Sequence, residues 1–283
     1  MPSVHSPTVR RRRLTSELRR LREAAKLTCE DVAERLECSA SKISRIETGR
    51  VAVSPRDVRD LLLIYGVRGG QHDGLVQLAR ESRQKGWWHA YSDTIEPRFA
   101  TYIGLESAAS EIRIYEVTLI PGLLQTEDYT RALLAARKVT TPRPDHEHRF
   151  ALLAERRRLA EANPPTVWAV LDEAALRRQV GGREVTRAQI EHLIELSATP
   201  HMYLQVIPFS GGAHVGMDEP FVILAFPDQA DPDVVCVGYS TGMLWVEDLT
   251  EVNNYNTIFD HLQAAALSFD ESAALMTSVL KEL

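Results

Sequence analysis

Two short helical stripes joined by a two- or three-residue turn constrain this chain more than any other feature. Thr28 stands where an N-cap belongs, ahead of Val32, Ala33 and Leu36, which share one helical face; Ser39 stands likewise ahead of Ile43 and Ile46. The second stripe stops at Thr48-Gly49, where glycine can take the left-handed conformation that ends a helix. Two helices so short and so closely joined make a helix-turn-helix. The flanks fit the same scale. Thr15 is a candidate cap for a helix through Leu18, Leu21, Arg22 and Ala25, and Ser54-Pro55 opens another carrying Val58, Leu61, Leu62 and Tyr65, with Asp57 near its positive end. Residues 14–70 therefore read as an all-α domain of four to five short helices.

Charge divides the chain at the same place. Residues 1–70 hold 15 Lys and Arg against 9 Asp and Glu, whereas residues 71–283 hold 18 against 30, so a balance of +6 is joined to one of −12. A basic segment on an acidic body points the first towards a polyanion and leaves the second for something else. Residues 1–13, with Arg10, Arg11, Arg12 and Arg13, read as a basic flexible arm along DNA or as a plain disordered tail. Ser41 and Arg45 lie four apart, opposite Ile43 and Ile46. They are the candidates for reading base edges, with Arg45 able to grip guanine by two hydrogen bonds. Lys42 and Ser44 flank that face, and Arg50 and Thr28 are placed for backbone phosphates. The competing reading of Ser41, Lys42 and Arg45 is a solvated helix face.

The string Leu27-Thr28-Cys29-Glu30-Asp31-Val32-Ala33, followed by Ser39-Ala40-Ser41-Lys42-Ile43-Ser44-Arg45-Ile46-Glu47-Thr48-Gly49, resembles the Xre family of DNA-binding domains, the phage repressor and Cro type. The resemblance implies a lambda-repressor-like fold whose third helix enters the major groove while the second crosses the backbone, with dimers reading two half-sites. It also implies a structural pairing of Glu47 with Arg22, and Gly49 as the residue that ends the recognition helix. Cys29 stands where that family usually carries a phosphate-binding glutamine. One short recognition helix covers few base pairs, so a homodimer held mainly by residues after Leu75 is expected, with double-stranded DNA as its partner.

Beyond residue 70 the pattern changes. Residues 71–110 read as a helical connector, broken at Gly86-Trp87-Trp88-His89, where the two tryptophans either line a pocket or cover the junction. Residues 111–283 read as an α+β domain with a mostly antiparallel sheet: strands at 111–119, 166–171, 202–207, 221–226, 234–238 and 243–246. Helices are expected at 126–138 and 145–162, divided by Thr140-Thr141-Pro142-Arg143-Pro144. Another reaches Ser197 from a Thr186/Gln189 capping box, and two close the chain, the last with a Ser268/Glu271 box.

Gly86-Trp87-Trp88, the run from Glu116 to Thr126, Val180-Gly181-Gly182 and the run from Val206 to His214 resemble the antitoxin-like C-terminal domain, of unknown function, that accompanies Xre modules in actinobacterial regulators. The resemblance implies a small protein partner encoded nearby. The expected function is a sequence-specific, dimeric transcriptional regulator whose second domain receives a protein or small-molecule signal. The alternatives are an antitoxin that neutralises a small protein by direct binding, and an enzyme carrying a DNA-targeting module.

Little else points to chemistry. No GxSxG elbow, phosphate loop, HExxH or dinucleotide fingerprint occurs, so no enzyme activity and no cofactor are expected. His146 and His148 lie two apart and point to different helix faces, which argues against a metal; His214 sits in a glycine-containing loop as a ligand contact or a simple turn. Cys29, Cys38 and Cys236 form no CxxC pair. The longest apolar run, 221–226, falls far short of the roughly 20 residues of a membrane helix. No apolar segment follows the arginine run as in a secretory signal, so the protein reads as cytoplasmic.

Overall fold

Ser6-Pro7 opens the first helix: the Ser6 hydroxyl accepts the Thr8 N–H at 3.2 Å and proline holds the first helical position. This computed structural model describes residues 6–93, 95–136, 145–239 and 242–283. It divides into two units, Met1–His89 and Ala90–Leu283.

The first unit comprises α1 (Pro7–Ala24), α2 (Cys29–Arg35), α3 (Ala40–Glu47), α4 (Pro55–Ile64) and α5 (Gly69–Glu81). Its core joins Leu14 and Leu18 of α1 to Val32, Ile43, Ile46, Val58, Leu61 and Leu62. The expected cap Thr15 is buried inside α1, its hydroxyl donating to the Arg12 carbonyl at 2.9 Å. Arg10, Arg11, Arg12 and Arg13 therefore lie on a helix rather than in a flexible arm, because Ser6-Pro7 starts α1 ahead of them. The connector expected at 71–110 is also divided. Leu75, Val76 and Ala79 of α5 share one face and complete the first core, whereas α6 (Pro97–Glu106) belongs to the second unit. Between them Trp87–Tyr91 is a short 3-10 turn.

The second unit is built on a mixed sheet. Among the described residues it runs β1 (Glu111–Glu116), β2 (Thr166–Asp172), β3 (Met202–Ile207), β4 (Phe221–Ala225), β5 (Val234–Tyr239) and β6 (Gly242–Val246), in spatial order β3-β2-β1-β4-β5-β6. β1 pairs with β2 and β2 with β3 in parallel; the other three pairings are antiparallel. Helices α7 (Glu127–Ala136), α8 (Asp145–Ala162), α9 (Glu173–Arg177) and α10 (Arg183–Ser197) lie in the parallel half of the chain, and α11 (Leu249–Ala265) and α12 (Phe269–Glu282) follow β6. The expected break at 140–144 and the end of the 126–138 helix fall outside the described residues.

Alternation along β2 explains the layering. Ala169 and Leu171 pack with Tyr129, Ile190, Leu193 and Met276 of α7, α10 and α12, while Val170 faces the opposite cluster with Phe259 and Leu262 of α11. A strand covered on both faces reads as a nearly continuous apolar run, which is how 166–171 looks in the sequence. One expected cap is corrected. α10 starts at Arg183 behind Gly182, whose φ of 91° suits glycine, so Thr186 and Gln189 lie inside the helix. Gln189 is a buried brace: its amide donates to the Leu124 carbonyl and accepts the Thr126 N–H, both at 2.7 Å. The Ser268/Glu271 box at α12 forms as expected.

The two edges of the sheet differ. At β3 the Val206 N–H donates to the Ser272 hydroxyl at 3.0 Å and the Val206 carbonyl accepts from Leu267 at 2.9 Å, so the start of α12 closes that edge. Among the described residues β6 pairs with β5 alone.

A buried ion pair joins α6 to α8. Arg156 and Glu106 make a two-pronged contact, with the Arg156 Nε at 2.5 Å, and the same guanidinium donates to the Tyr102 hydroxyl at 3.5 Å and lies over the Tyr102 ring. Their side chains are only 8% and 6% exposed. Glu106→Ala would strand the arginine charge, and chemical denaturation should show a loss of about 3–5 kcal/mol, far above that of an exposed pair such as Arg158 with Glu155.

Candidate nucleic-acid interface

The exposed face of α3 is the product of its caps and its core. The Ser39 hydroxyl accepts the Lys42 N–H at 3.2 Å, and Ile43 and Ile46, 1% and 2% exposed, turn the opposite side to solvent. Ser41, Ser44 and Arg45 are exposed there. Arg45 lies back along its own helix, Nε donating to the Ser41 carbonyl at 3.2 Å, a contact a long side chain can exchange for a base edge. Lys42 reaches Asp57 of α4 at 3.3 Å. Burial pushes the Asp57 carboxyl up, but hydrogen bonds from Ser54 and Lys42 outweigh it and hold the group below its ordinary range. Both partners are partly exposed, so the pair is weak and a phosphate can displace it.

Thr28 caps α2 through a box with Asp31, whose carboxylate accepts the Thr28 N–H at 2.8 Å. The main-chain donor of Thr28 is therefore used, and its hydroxyl oxygen accepts the Asp31 N–H at 3.1 Å, which leaves the hydroxyl hydrogen to be donated to a phosphate. A shallow groove lined by Leu27, Thr28, Cys29, Ala40, Ser41 and Ser44 brings the start of α2 beside the start of α3. Cys29 is half-buried in it, and burial raises its thiol pKa.

Two contacts fix α3 to α1. Glu47 and Arg22 form a bidentate pair at 2.8 and 2.9 Å, and Arg22 also donates to the Leu27 carbonyl at 2.8 Å, so its guanidinium is held well above the ordinary range. Arg11 donates to the carbonyl of Gly49 at 2.6 Å; Gly49, with φ of 68°, is the turn that ends the helix. Arg11 thus clamps the end of α3, and burial pulls its pKa down. Arg10 is paired with Glu81 of α5 at 3.3 Å. The sequence reading missed these roles for Arg11 and Arg10. Arg50 is exposed just past Gly49.

In the second unit His214 pins its loop: Nδ1 accepts the Gly216 N–H at 3.3 Å, Nε2 stands 3.7 Å from Asp172, and the ring meets Tyr115 edge-on. Gly216 packs so tightly that a Cβ there would stand 2.6 Å from the Tyr115 ring. His148 is exposed, and the side chain of His146 lies outside the described residues. Among the described residues no group of three His, Cys, Asp or Glu is placed to hold a metal, and no helix is long and apolar enough to cross a membrane.

A family model described as a helix-turn-helix domain matches residues 13–75, and one described as a domain of unknown function, DUF5753, matches residues 99–278. No curated protein and no solved structure matches the chain.

Two outcomes are expected. Glu47→Gln keeps the shape of the side chain but removes the charge opposite Arg22, and the first unit should lose about 2–4 kcal/mol in denaturant titration. Burial raises Glu116, at the end of β1, to about 7 from an ordinary value of 4.5. The folded state then binds the proton more tightly than the unfolded one, so this group makes stability fall as pH rises from about 4.5 to about 7, and Glu116→Gln should flatten that stretch of the stability profile.

Proposed function

The chain belongs to the DUF5753 family, and from that premise, with a helix-turn-helix unit ahead of the family's region, we propose that it is a sequence-specific transcriptional regulator of the Xre type. It acts as a homodimer on double-stranded DNA, and its second domain receives the signal, from a small protein encoded nearby or from a small molecule. The observation that carries this reading is the exposed α3 face of Ser41, Ser44 and Arg45, held rigid from behind by Arg22–Glu47 and Arg11–Gly49. A helix that presents short polar side chains and one arginine, on a unit whose sequence carries the positive balance, suits the major groove. Lys42, Arg50 and the Thr28 hydroxyl surround that face as phosphate contacts.

The acidic balance of residues 71–283 supports a regulatory role for that part, because DNA repels it and leaves its surface to another partner. No catalytic step is assigned to the second domain.

Base reading and phosphate holding separate by mutation. After genome-wide capture of the binding site with purified protein, Arg45→Ala should relax preference at one position at a cost of about 1–3 kcal/mol, whereas Arg50→Ala should weaken all sequences alike. Equal losses on specific and random DNA in both variants would overturn the assignment.

A further inference from the structure

Tyr115 carries an unanswered hydroxyl. The residue is fully buried, and its Oη has no hydrogen-bond partner among the described residues. A buried polar atom left unpaired costs stability, so its place in the fold calls for a partner that the chain itself does not supply. The position is a telling one. Tyr115 pairs with Phe221 at the start of β4, and Asp172 pairs with Ile207 at the end of β3. Loop 208–220 therefore crosses from the carboxyl end of β3, past the end of β2, to the carboxyl end of β1, and carries His214 with it. Here the strand order reverses: from β1 the chain goes to β2 and β3 on one side and then returns to β4 on the other. Ligands of sheets with parallel strands gather at such a point, outside the carboxyl ends.

Asp172, two positions on from Val170, shares the sheet face of Tyr115. A Cβ on Gly216 would stand 2.8 Å from the Tyr115 Cζ, so the phenol end of the ring abuts the loop that holds His214. Asp172 spends Oδ1 on the Ala174 N–H at 2.8 Å, while its Oδ2 stands 3.7 Å from His214 Nε2, too far for a hydrogen bond. His214 spends Nδ1 on the Gly216 N–H, which puts the ring proton on Nε2. Burial raises the Tyr115 phenol above its ordinary range and keeps it protonated.

We propose that Tyr115, Asp172 and His214 bind the hydroxyl of a neutral small molecule. One oxygen set beside the pair stands about 2.8 Å from both Nε2 and Oδ2, accepting from the histidine and donating to the carboxylate, with the Tyr115 hydroxyl as third partner. An ammonium has no lone pair for the His214 proton. An anion meets Asp172, Glu173, Asp218 and Glu219, and loop 208–220 has no lysine or arginine to offset them. The Asp172 and His214 side chains keep 16% and 8% exposure, which opens the cluster to solvent. Val215 and Met217, exposed on either side of Gly216, offer apolar surface to the ligand's carbon skeleton. As a binding site the cluster stands alone; as the small-molecule input of the second domain it rests on the function proposed above.

The test is ligand-observed NMR on the full chain with benzyl alcohol, and with benzylamine and benzoate as its charged counterparts. Benzyl alcohol should bind more tightly than either. Tyr115→Phe should weaken it roughly tenfold, the worth of one hydrogen bond, and Asp172→Asn, which keeps the cap on α9, should weaken it likewise. Without ligand, Tyr115→Phe should raise the melting temperature, because it removes an unpaired hydroxyl. A lowered melting temperature instead marks a hydroxyl kept for folding and served by water, and overturns the proposal. Equal binding of the three probes, or no binding of benzyl alcohol, overturns it too. So does binding that survives Tyr115→Phe, which lies elsewhere, as on the stacked rings of Trp168 and Tyr203. Failure to bind any DNA, with benzyl alcohol binding as expected, overturns the regulator and leaves the site.

Discussion

The placement of α3, the second helix of the helix-turn-helix, depends on one bidentate ion pair. Glu47 closes the end of α3 and Arg22 sits on α1, so their two hydrogen bonds set the angle at which α3 stands on the rest of the unit. A hydrophobic core alone is forgiving about rotation, since the burial of Ile43 and Ile46 in one cluster with Leu18 and Val58 has no preferred direction. A planar guanidinium on a planar carboxylate is not. The Arg11 clamp on the Gly49 carbonyl adds a second fixed point at the same end. The C-terminal end of α3 is anchored twice and its N-terminal end is capped by Ser39, so the exposed side chains between them stand on a helix held at both ends.

That design was largely written in local residue order. Ser39, Gly49, Ser54-Pro55 and the spacing of Ile43 and Ile46 each carry a mechanism that acts within one turn of helix, and all of them behave as read. The same kind of mark, Ser6-Pro7, stands at the front of α1, but the four arginines behind it have no apolar period and read as a charged tail. Their helical state is decided by what they touch. Arg11 finds a carbonyl 38 positions away and Arg10 finds Glu81, and distances of that order leave no trace in a local pattern.

In the second unit the strands were legible and their partners were not. Six apolar runs appear close to where the strands are, but nothing in a run says whether its neighbour is parallel. The closest hint was the near-continuous apolar character of 166–171, the mark of a strand covered on both faces, set between helical stretches. Gln189 shows the same limit in one residue. Three positions after Thr186 it imitates a capping box, yet it belongs to a buried link with Leu124 and Thr126, more than sixty positions away.

The closure of β3 has a consequence for how the chain is made. Val206 must wait for Ser272, 66 positions later, before its outward N–H is satisfied. During vectorial synthesis the parallel strands therefore emerge well before the helix that seals them. A nascent chain stalled after β3 carries a bare strand at each side of an unfinished sheet, the state in which chains adhere to one another most readily. The helix-turn-helix unit, whose core is drawn from five successive helices, is complete long before then. While the chain is being made, a finished helix-turn-helix unit thus precedes a sheet whose β3 edge waits for the start of α12.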